Sequence, residues 1–120
     1  MIILPMMDGM IATINEFRRQ HGVGVVENWD SQMASYCQEH CIAMARSGHI
    51  YHTEYFYLGE WAEAIAMHSW MDNWSELQSK LIFDVLGSCE SHKRMLLNYN
   101  CMAYAVWTGN WHVYLTVRAK

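Results

Sequence analysis

Hydrophobic residues in the first part of the chain recur at the three- and four-residue spacing of an amphipathic helix. In the first such stretch, Ile14 and Phe17 fall on one face. The segment Thr13–Glu16 has the spacing of a capping box, and Gly22 is placed to end a helix. The pattern therefore predicts a first helix that starts at about Thr13 and ends before Gly22.

A second helix is predicted after Asp30 or Ser31, since either side chain can accept hydrogen bonds from the amides of a first helical turn. Apolar residues then recur every three or four positions, at Met33, Cys37, Cys41 and Met44. Gly48 supplies the stop signal. The spacing therefore predicts a helix that ends at Gly48 and packs one apolar face on the core.

The middle of the chain alternates between irregular and helical patterns. Residues 49–58 are aromatic and polar, which predicts a loop or a short strand. Helical patterns return at residues 60–68 and again at about 72–86, where Gly87 closes the element. Ser88 is placed to cap a further short helix that runs through Leu97.

The last twenty residues change to the two-residue period of β-strands. Two alternating runs, residues 102–107 and 112–117, flank Gly109-Asn110, a favourable pair for a two-residue hairpin turn. Helices followed by a hairpin, with no regular βαβ alternation, favour an α+β fold in which helices cover a small sheet.

Length and charge narrow the class of protein. The chain has 120 residues, 52% of them hydrophobic, which suits one domain over residues 1–120. The formal charge is -4, and basic residues form no stripe that would follow a phosphate backbone, so we expect no nucleic-acid partner. No apolar run approaches the ~20 residues that span a bilayer. The apolar start lacks a basic segment and is a poor signal peptide.

Cysteine usage leaves two alternatives open. Four cysteines, Cys37, Cys41, Cys89 and Cys101, allow two disulfides in any of three pairings. They equally suit free thiols in a core or on a helix face, because cysteine is among the most buried residue types. Residues 37 and 41 lie four apart on a predicted helix, a spacing that rarely supports a mutual disulfide. We favour the reduced state.

Three stretches, taken in order, resemble one protein family. The first is residues 15–23, NEFRRQHGV, followed by Trp29-Asp30. The second is His52 followed by Gly59-Glu60. The third is residues 91–97, SHKRMLL. These are similar to the N-x-x-R helix with its W-D pair, the histidine with its G-E-N segment, and the S-x-x-H-R helix of the CAP superfamily, the cysteine-rich secretory, antigen 5 and pathogenesis-related-1 group.

The resemblance implies a fold and a location. It implies a CAP-like α-β-α sandwich, in which helices flank a small antiparallel sheet with a C-terminal hairpin, as in small bacterial members. It also implies a secreted or extracellular protein; the alternative is a cytoplasmic one, since no signal peptide is visible. Most of the family are binding or signalling modules, and hydrolytic activity is the exception.

The resemblance also implies a cleft with His52, Glu60 and His92, which match three members of the family's cleft tetrad. Two imidazoles and a carboxylate suit zinc or another divalent metal and leave a coordination position for water. The sequence departs from the family at Trp61, where asparagine is usual. The second cleft acid stays open between Glu76, Asp84 and Glu90. Glu63 is read as a solvated neighbour of Glu60 on the same helix face.

Three functions compete on this sequence. The leading hypothesis is a non-enzymatic module whose cleft binds a metal, or whose partner is a protein, peptide or lipid. The alternative is a metal-dependent hydrolase, a peptidase or esterase, in which a bound water attacks and Glu60 is the general base. A third is an interaction module with a vestigial cleft, in which the aromatic segment Tyr55–Tyr57 forms the partner surface.

Overall fold

A computed structural model describes residues 7–57, 59 and 61–120 and shows a sheet with helices on both faces. In chain order the elements are α1 (Met7–Gln20), β1 (Asn28–Trp29), α2 (Ser31–Ser47), α3 (Glu54–Tyr57), β2 (Ala62–Ser69), α4 (Trp74–Ser79), its π-helical continuation (Lys80–Leu86), α5 (Glu90–Asn98), β3 (Cys101–Gly109) and β4 (His112–Ala119).

The first helix is longer than predicted. α1 already includes Met7, so Thr13 lies within it and is not its cap. The Thr13 hydroxyl donates to the carbonyl of Gly9 at 2.8 Å, a bond typical of a threonine inside a helix. The predicted end is confirmed: Gly22 follows the helix with φ at +74°, in the left-handed region that favours glycine.

The second helix follows the prediction at both ends. Asp30 adopts an extended backbone, and its carboxylate accepts a hydrogen bond from the Met33 amide at 2.9 Å. At the other end, Gly48 is left-handed and donates its amide to the Met44 carbonyl. The tryptophan of the W-D pair also has a structural role, since Trp29 packs edge-on against Tyr104 with ring centroids 5.7 Å apart.

The predicted helix over residues 60–68 is wrong, because the structure has β2 there. The stretch is rich in alanine, which favours helices in isolation. Residues 63–66 are all buried, because helices cover both faces of the sheet, and such strands lack the alternation that reveals a half-exposed strand. The predicted loop over residues 49–58 contains the short helix α3.

The sheet has the order β1-β3-β4-β2 within the described part of the chain. β3 and β4 form the predicted antiparallel hairpin, and β2 pairs antiparallel with β4. β1 pairs parallel with β3, so the sheet is mixed, which corrects the antiparallel sheet expected from the sequence. The turn is also displaced by one residue: Gly109 and His112 are paired, so Asn110 and Trp111 form it.

Two apolar clusters lie on opposite faces of the sheet and account for the alternation in the hairpin. One face packs against α2, where Ala103 and Ala105 let the helix approach closely. The other face packs against α1, α4 and α5, and includes Met102 and Tyr104. Helices therefore cover both faces of the sheet, which confirms the α+β fold and the α-β-α sandwich expected from the sequence.

The four cysteines are free thiols, as favoured from the sequence. Cys37 and Cys41 are buried on the inner face of α2, and burial raises the pKa of the Cys41 thiol to about 12. Cys41 lies 3.2 Å from both the Ala105 carbonyl and the Thr116 hydroxyl. These two thiols are therefore packing residues of the α2 face.

Gly87 is required by close packing at the end of the π-helical segment. A Cβ there would lie 2.6 Å from the Phe83 carbonyl oxygen and 2.7 Å from a ring carbon of Phe17. We therefore expect Gly87→Ala to lower the free energy of unfolding by about 1–3 kcal/mol, as overpacked cores do. Urea denaturation measures this. Gly24→Ala is the matched control, since its Cβ would meet nothing within 4 Å; an equal loss in both variants would contradict the packing argument.

Candidate functional site

The side chain of Glu63, near the start of β2, is the centre of a buried polar network. Its Oε1 accepts from the backbone amide of Thr53 at 2.9 Å and lies 3.0 Å from Nδ1 of His52. Its Oε2 accepts from the Thr53 hydroxyl at 2.6 Å and from Nε of Arg118 at 2.9 Å. Both oxygens of this carboxylate are therefore engaged.

Strand register and one tethered loop bring this network together. Glu63 and Arg118 are directly opposed in the β2–β4 ladder, so the fold places their side chains next to each other. His52 and Thr53 lie in the segment that follows α2. That segment is held to α2 by His40, whose Nε2–H donates to the Tyr51 carbonyl at 2.6 Å. His40 is thus a satisfied core histidine.

Glu63 is held as a carboxylate. Burial alone would raise the pKa of Glu63, but the hydrogen bonds from Thr53, Arg118 and His52 outweigh it and lower the pKa below its ordinary value. The side chains of both Glu63 and Arg118 are buried, so their ion pair is shielded from solvent. A charged acceptor therefore persists next to His52 at neutral pH.

Glu63 and Phe56 fix the imidazole of His52 in one orientation. Because a carboxylate only accepts, Nδ1 of His52 is the donor in the contact with Glu63, and Nε2 is then the acceptor nitrogen of the neutral ring. Phe56 of α3 stacks on the ring, with centroids 3.8 Å apart and planes at 12°. Carboxylate–histidine pairs of this kind orient metal-binding and catalytic imidazoles.

His92 approaches the same place from α5. It precedes Met95 and Leu96 by three and four residues, so it shares the helix face that these two buried residues dock on the core. Burial, followed by the proximity of His52, lowers the pKa of His92 below its ordinary value. A neutral imidazole is therefore present at neutral pH.

A cleft of about 390 Å³ has His52 and His92 in its walls. One wall is formed by His52, Phe56, Ala62 and Glu63. The other is formed by α5 and the residue after it, with Ser91, His92, Met95 and Tyr99. The structure thus brings two of the three predicted site residues to one cleft.

The remaining predicted acids contribute nothing to this cleft among the residues described. Glu60 lies outside the described residues. Glu76, Asp84 and Glu90 are all exposed, and Asp84 and Glu90 pair with Lys80 and Arg94 on their own helical segments. The carboxylate in the described walls is Glu63, three residues beyond Glu60.

The side chains in the cleft walls supply some of the ligands that a metal ion would need, but not a full set. Within the described residues there is no group of three His, Cys, Asp or Glu side chains placed to hold a metal ion. Two imidazoles line the cleft, and Glu63 acts as the partner that orients one of them, since both of its oxygens already accept hydrogen bonds. A metal here would take nitrogen from His52 and His92 and complete its coordination from other sources.

Sequence reasoning missed Glu63, Thr53 and Arg118. The error followed from reading residues 60–68 as a helix, which made Glu63 a solvated neighbour of Glu60. A usable signal was present: Glu63 and Arg118 are opposite charges, each with an apolar residue on both sides. Charged residues in apolar strands are rarely buried unless paired, so two such residues of opposite sign indicate a buried ion pair.

Comparisons by sequence found nothing: no protein-family model matches the chain, and no curated protein does. Comparisons by structure found several solved chains of similar shape. An outer surface protein from Borrelia burgdorferi superposes with a TM-score of 0.72 at 14% identity, over 99% of this chain and 94% of that one.

Two further solved structures are similar to this chain, and their names give a domain in one case and a function in the other. An extracellular protein containing an SCP domain from Bacillus anthracis matches with a TM-score of 0.61 at 19% identity. The match covers 94% of this chain but 40% of that one. Hookworm platelet inhibitor matches with a TM-score of 0.59 at 10% identity, over 97% of this chain and 69% of that one. At these identities the comparisons establish the fold alone.

Proposed function

The chain has the CAP/SCP-like fold, and we propose that it is a single-domain, non-enzymatic binding module whose cleft holds a divalent metal ion through His52 and His92. The carrying observation is the hydrogen bond between His52 and the buried carboxylate of Glu63, in a cleft that His92 also lines. An imidazole held in one orientation by a carboxylate is the arrangement found behind metal-binding histidines.

Zinc is the metal that this donor chemistry favours. Neutral imidazoles are common zinc ligands, and burial keeps His92 neutral at physiological pH. We propose Glu60 as a third ligand, with water or a partner's side chain in the last position. A bound zinc ion would supply Lewis acidity; in a binding module, that lets it accept a donor atom from a peptide or protein ligand.

The hydrolase alternative has less support from the cleft. A general base must reach the attacking water and be able to take its proton. Glu63 accepts hydrogen bonds at both oxygens, and those bonds lower its pKa, so it is a poor base. Glu60 is the remaining candidate for that role. A chelator-sensitive turnover of peptide or ester substrates would favour the hydrolase over the binding module.

An extracellular location is part of the proposal. Two proteins with this fold are described as an outer surface protein and as an extracellular protein. None of the helices in the described ranges is long and apolar enough to cross a bilayer. We propose a protein, peptide or lipid as the natural partner, engaged at the cleft.

Zinc titration tests the proposal. We expect calorimetry on the metal-free protein to give one zinc site per chain, and the double variant His52→Ala/His92→Ala to weaken zinc binding at least tenfold, because each imidazole supplies a ligand. The variant His49→Ala is the matched control, since His49 is an exposed histidine in the preceding loop, and we expect it to bind zinc as the wild type does.

Two results would count against the site. Wild-type protein that binds no zinc would exclude zinc from the cleft. Zinc binding that persists unchanged in a folded double variant would place the metal elsewhere. Circular dichroism and thermal unfolding of each variant show whether the fold is retained, so a loss of binding is not confused with a loss of structure.

A further inference from the structure

A second concave site lies at the opposite end of β2 from the His52–His92 cleft. It has a volume of about 460 Å³ and is lined by Trp70 and by residues 108–112 of the β3–β4 hairpin. The cleft lies at Ala62 and Glu63, where β2 begins, and this pocket adjoins Ser69, where β2 ends. Seven residues of strand separate the two sites by roughly 20 Å.

Trp111 in this pocket has two features that do not help the fold. It occupies the second position of the two-residue turn with φ at +64°, in the left-handed region where a bulky aromatic residue is an outlier and glycine is preferred. The residue is also 79% exposed, the highest exposure among the large hydrophobic residues described. Neither packing nor turn geometry accounts for a tryptophan here.

Trp70 gives the pocket a fixed aromatic wall. Its backbone amide donates to the Trp111 carbonyl at 2.7 Å, which ties the hairpin turn to the end of β2. Its indole Nε1 donates to Asp72 at 3.3 Å, and the side chain packs in part against the main apolar cluster. The indole is therefore oriented before any ligand arrives.

The rest of the pocket is polar. Thr108 offers a hydroxyl and Asn110 an amide, and the ring of His112 is oriented by a hydrogen bond from Nδ1 to the Asn110 carbonyl at 2.8 Å. Among the described residues that line it, none is Lys or Arg, so an anionic ligand would lack a counter-charge. The pocket thus combines indole surfaces with hydroxyl, amide and imidazole groups that can form hydrogen bonds.

We infer that this pocket binds a neutral saccharide. A sugar ring presents apolar C–H faces that stack on indoles and hydroxyl groups that exchange hydrogen bonds with amide, imidazole and hydroxyl side chains. The strained, exposed Trp111 then has a role, because the ligand buries the indole that the free protein leaves in water. The inference is independent of the metal proposed for the cleft.

Ligand-observed NMR with three neutral hexasaccharides, cellohexaose, hexa-N-acetylchitohexaose and maltohexaose, tests this inference. We expect at least one of them to bind the wild-type protein. We expect Trp111→Gly to weaken that binding at least tenfold while raising the melting temperature, because glycine relieves the left-handed strain. Val25→Ala is the control, since Val25 is also exposed, at 62%, and lies outside the pocket. The double variant His52→Ala/His92→Ala should retain saccharide binding.

Three outcomes would overturn the inference. The first is that none of the three saccharides binds the wild type. The second is that the Trp111→Gly variant binds saccharide as tightly as the wild type. The third is that phosphatidylcholine vesicles, and no saccharide, bind in a manner that depends on Trp111, which would make the hairpin a membrane-interface anchor.

Discussion

Replacing Glu63 with glutamine is expected to lower the free energy of unfolding by about 3–5 kcal/mol. The substitution keeps the size of the side chain but removes its charge. Arg118, which is 1% exposed, would then keep its positive charge in the interior but lose its ion pair with Glu63. The amide nitrogen of the new glutamine, itself a donor, would also face donor groups such as Nε of Arg118, from which the Glu63 carboxylate accepted hydrogen bonds.

Denaturant unfolding of the Glu63→Gln variant measures this loss, with Glu39→Gln as the control. Glu39 is an exposed glutamate on α2, and its neutral substitution should change stability by less than about 0.5 kcal/mol. The double variant Glu63→Leu/Arg118→Met completes the test. Because it removes both charges, we expect its loss of unfolding free energy to be smaller than the sum of the losses in the single variants Glu63→Leu and Arg118→Met. Additive losses would mean that the two residues are not coupled.

Replacing Arg18 with methionine is expected to destabilise the protein by a similar amount, about 3–5 kcal/mol. Arg18 is 1% exposed and donates from Nε to the Gly24 carbonyl at 2.6 Å. From Nη1 it donates to the carbonyls of Leu96 and Tyr99, at 2.7 and 2.9 Å. It therefore satisfies backbone acceptors at the end of α5 from a residue of α1. The bond to Leu96 is buried and those to Gly24 and Tyr99 are partly buried, and a buried acceptor left without a donor costs about 1–3 kcal/mol.

The neighbouring residue provides the matched control for Arg18. Arg19 is exposed and pairs with Glu16 on the surface of α1. Exposed pairs contribute little, so Arg19→Met should cost less than about 1 kcal/mol. Denaturant unfolding of both variants compares the two. Equal effects would show that Arg18 contributes only its charge or its helical propensity, and that its hydrogen bonds to these three carbonyls add nothing to stability.

The arginine and asparagine of the N-x-x-R motif are thereby explained by folding. Asn15 accepts a hydrogen bond from the Val26 amide at 2.9 Å, and Arg18 connects α1 to the end of α5. In the W-D pair, Trp29 packs on Tyr104 and Asp30 caps α2. These parts of the resemblance report the fold and not the chemistry of the cleft.

Local signals in the sequence predicted those parts of the fold that local chemistry controls. The cap at Asp30, the left-handed glycines after α1 and α2, and the period of the hairpin all depend on neighbouring residues. The parallel pairing of β1 with β3 could not be predicted in this way, because β1 has two residues and pairs with a strand more than seventy positions later. The turn shifted to Asn110 and Trp111 because the strand register places Gly109 opposite His112.

The site was predicted only in part, because its residues come together through strand pairing that local sequence signals do not reveal. His52 and His92 were chosen by resemblance, and both line one cleft. The carboxylate in its walls could not be chosen correctly while β2 was read as a helix. Once β2 is a strand opposite β4, the register alone brings Glu63 to Arg118. The pairing of β2 with β4, and no local sequence motif, thus brings together the charged residues Glu63 and Arg118.

The side-chain ¹⁵N spectrum of the histidines, recorded with and without zinc, tests directly whether His52 and His92 form a metal site oriented by Glu63. Without metal, at a pH where the rings are neutral, we expect His52 to carry its proton on Nδ1, donated to Glu63. On addition of zinc we expect changed nitrogen shifts for His52 and His92, and none for His49. A His52 ring protonated on Nε2 in the free protein, or zinc-induced shifts confined to histidines outside the cleft, would contradict the proposed site.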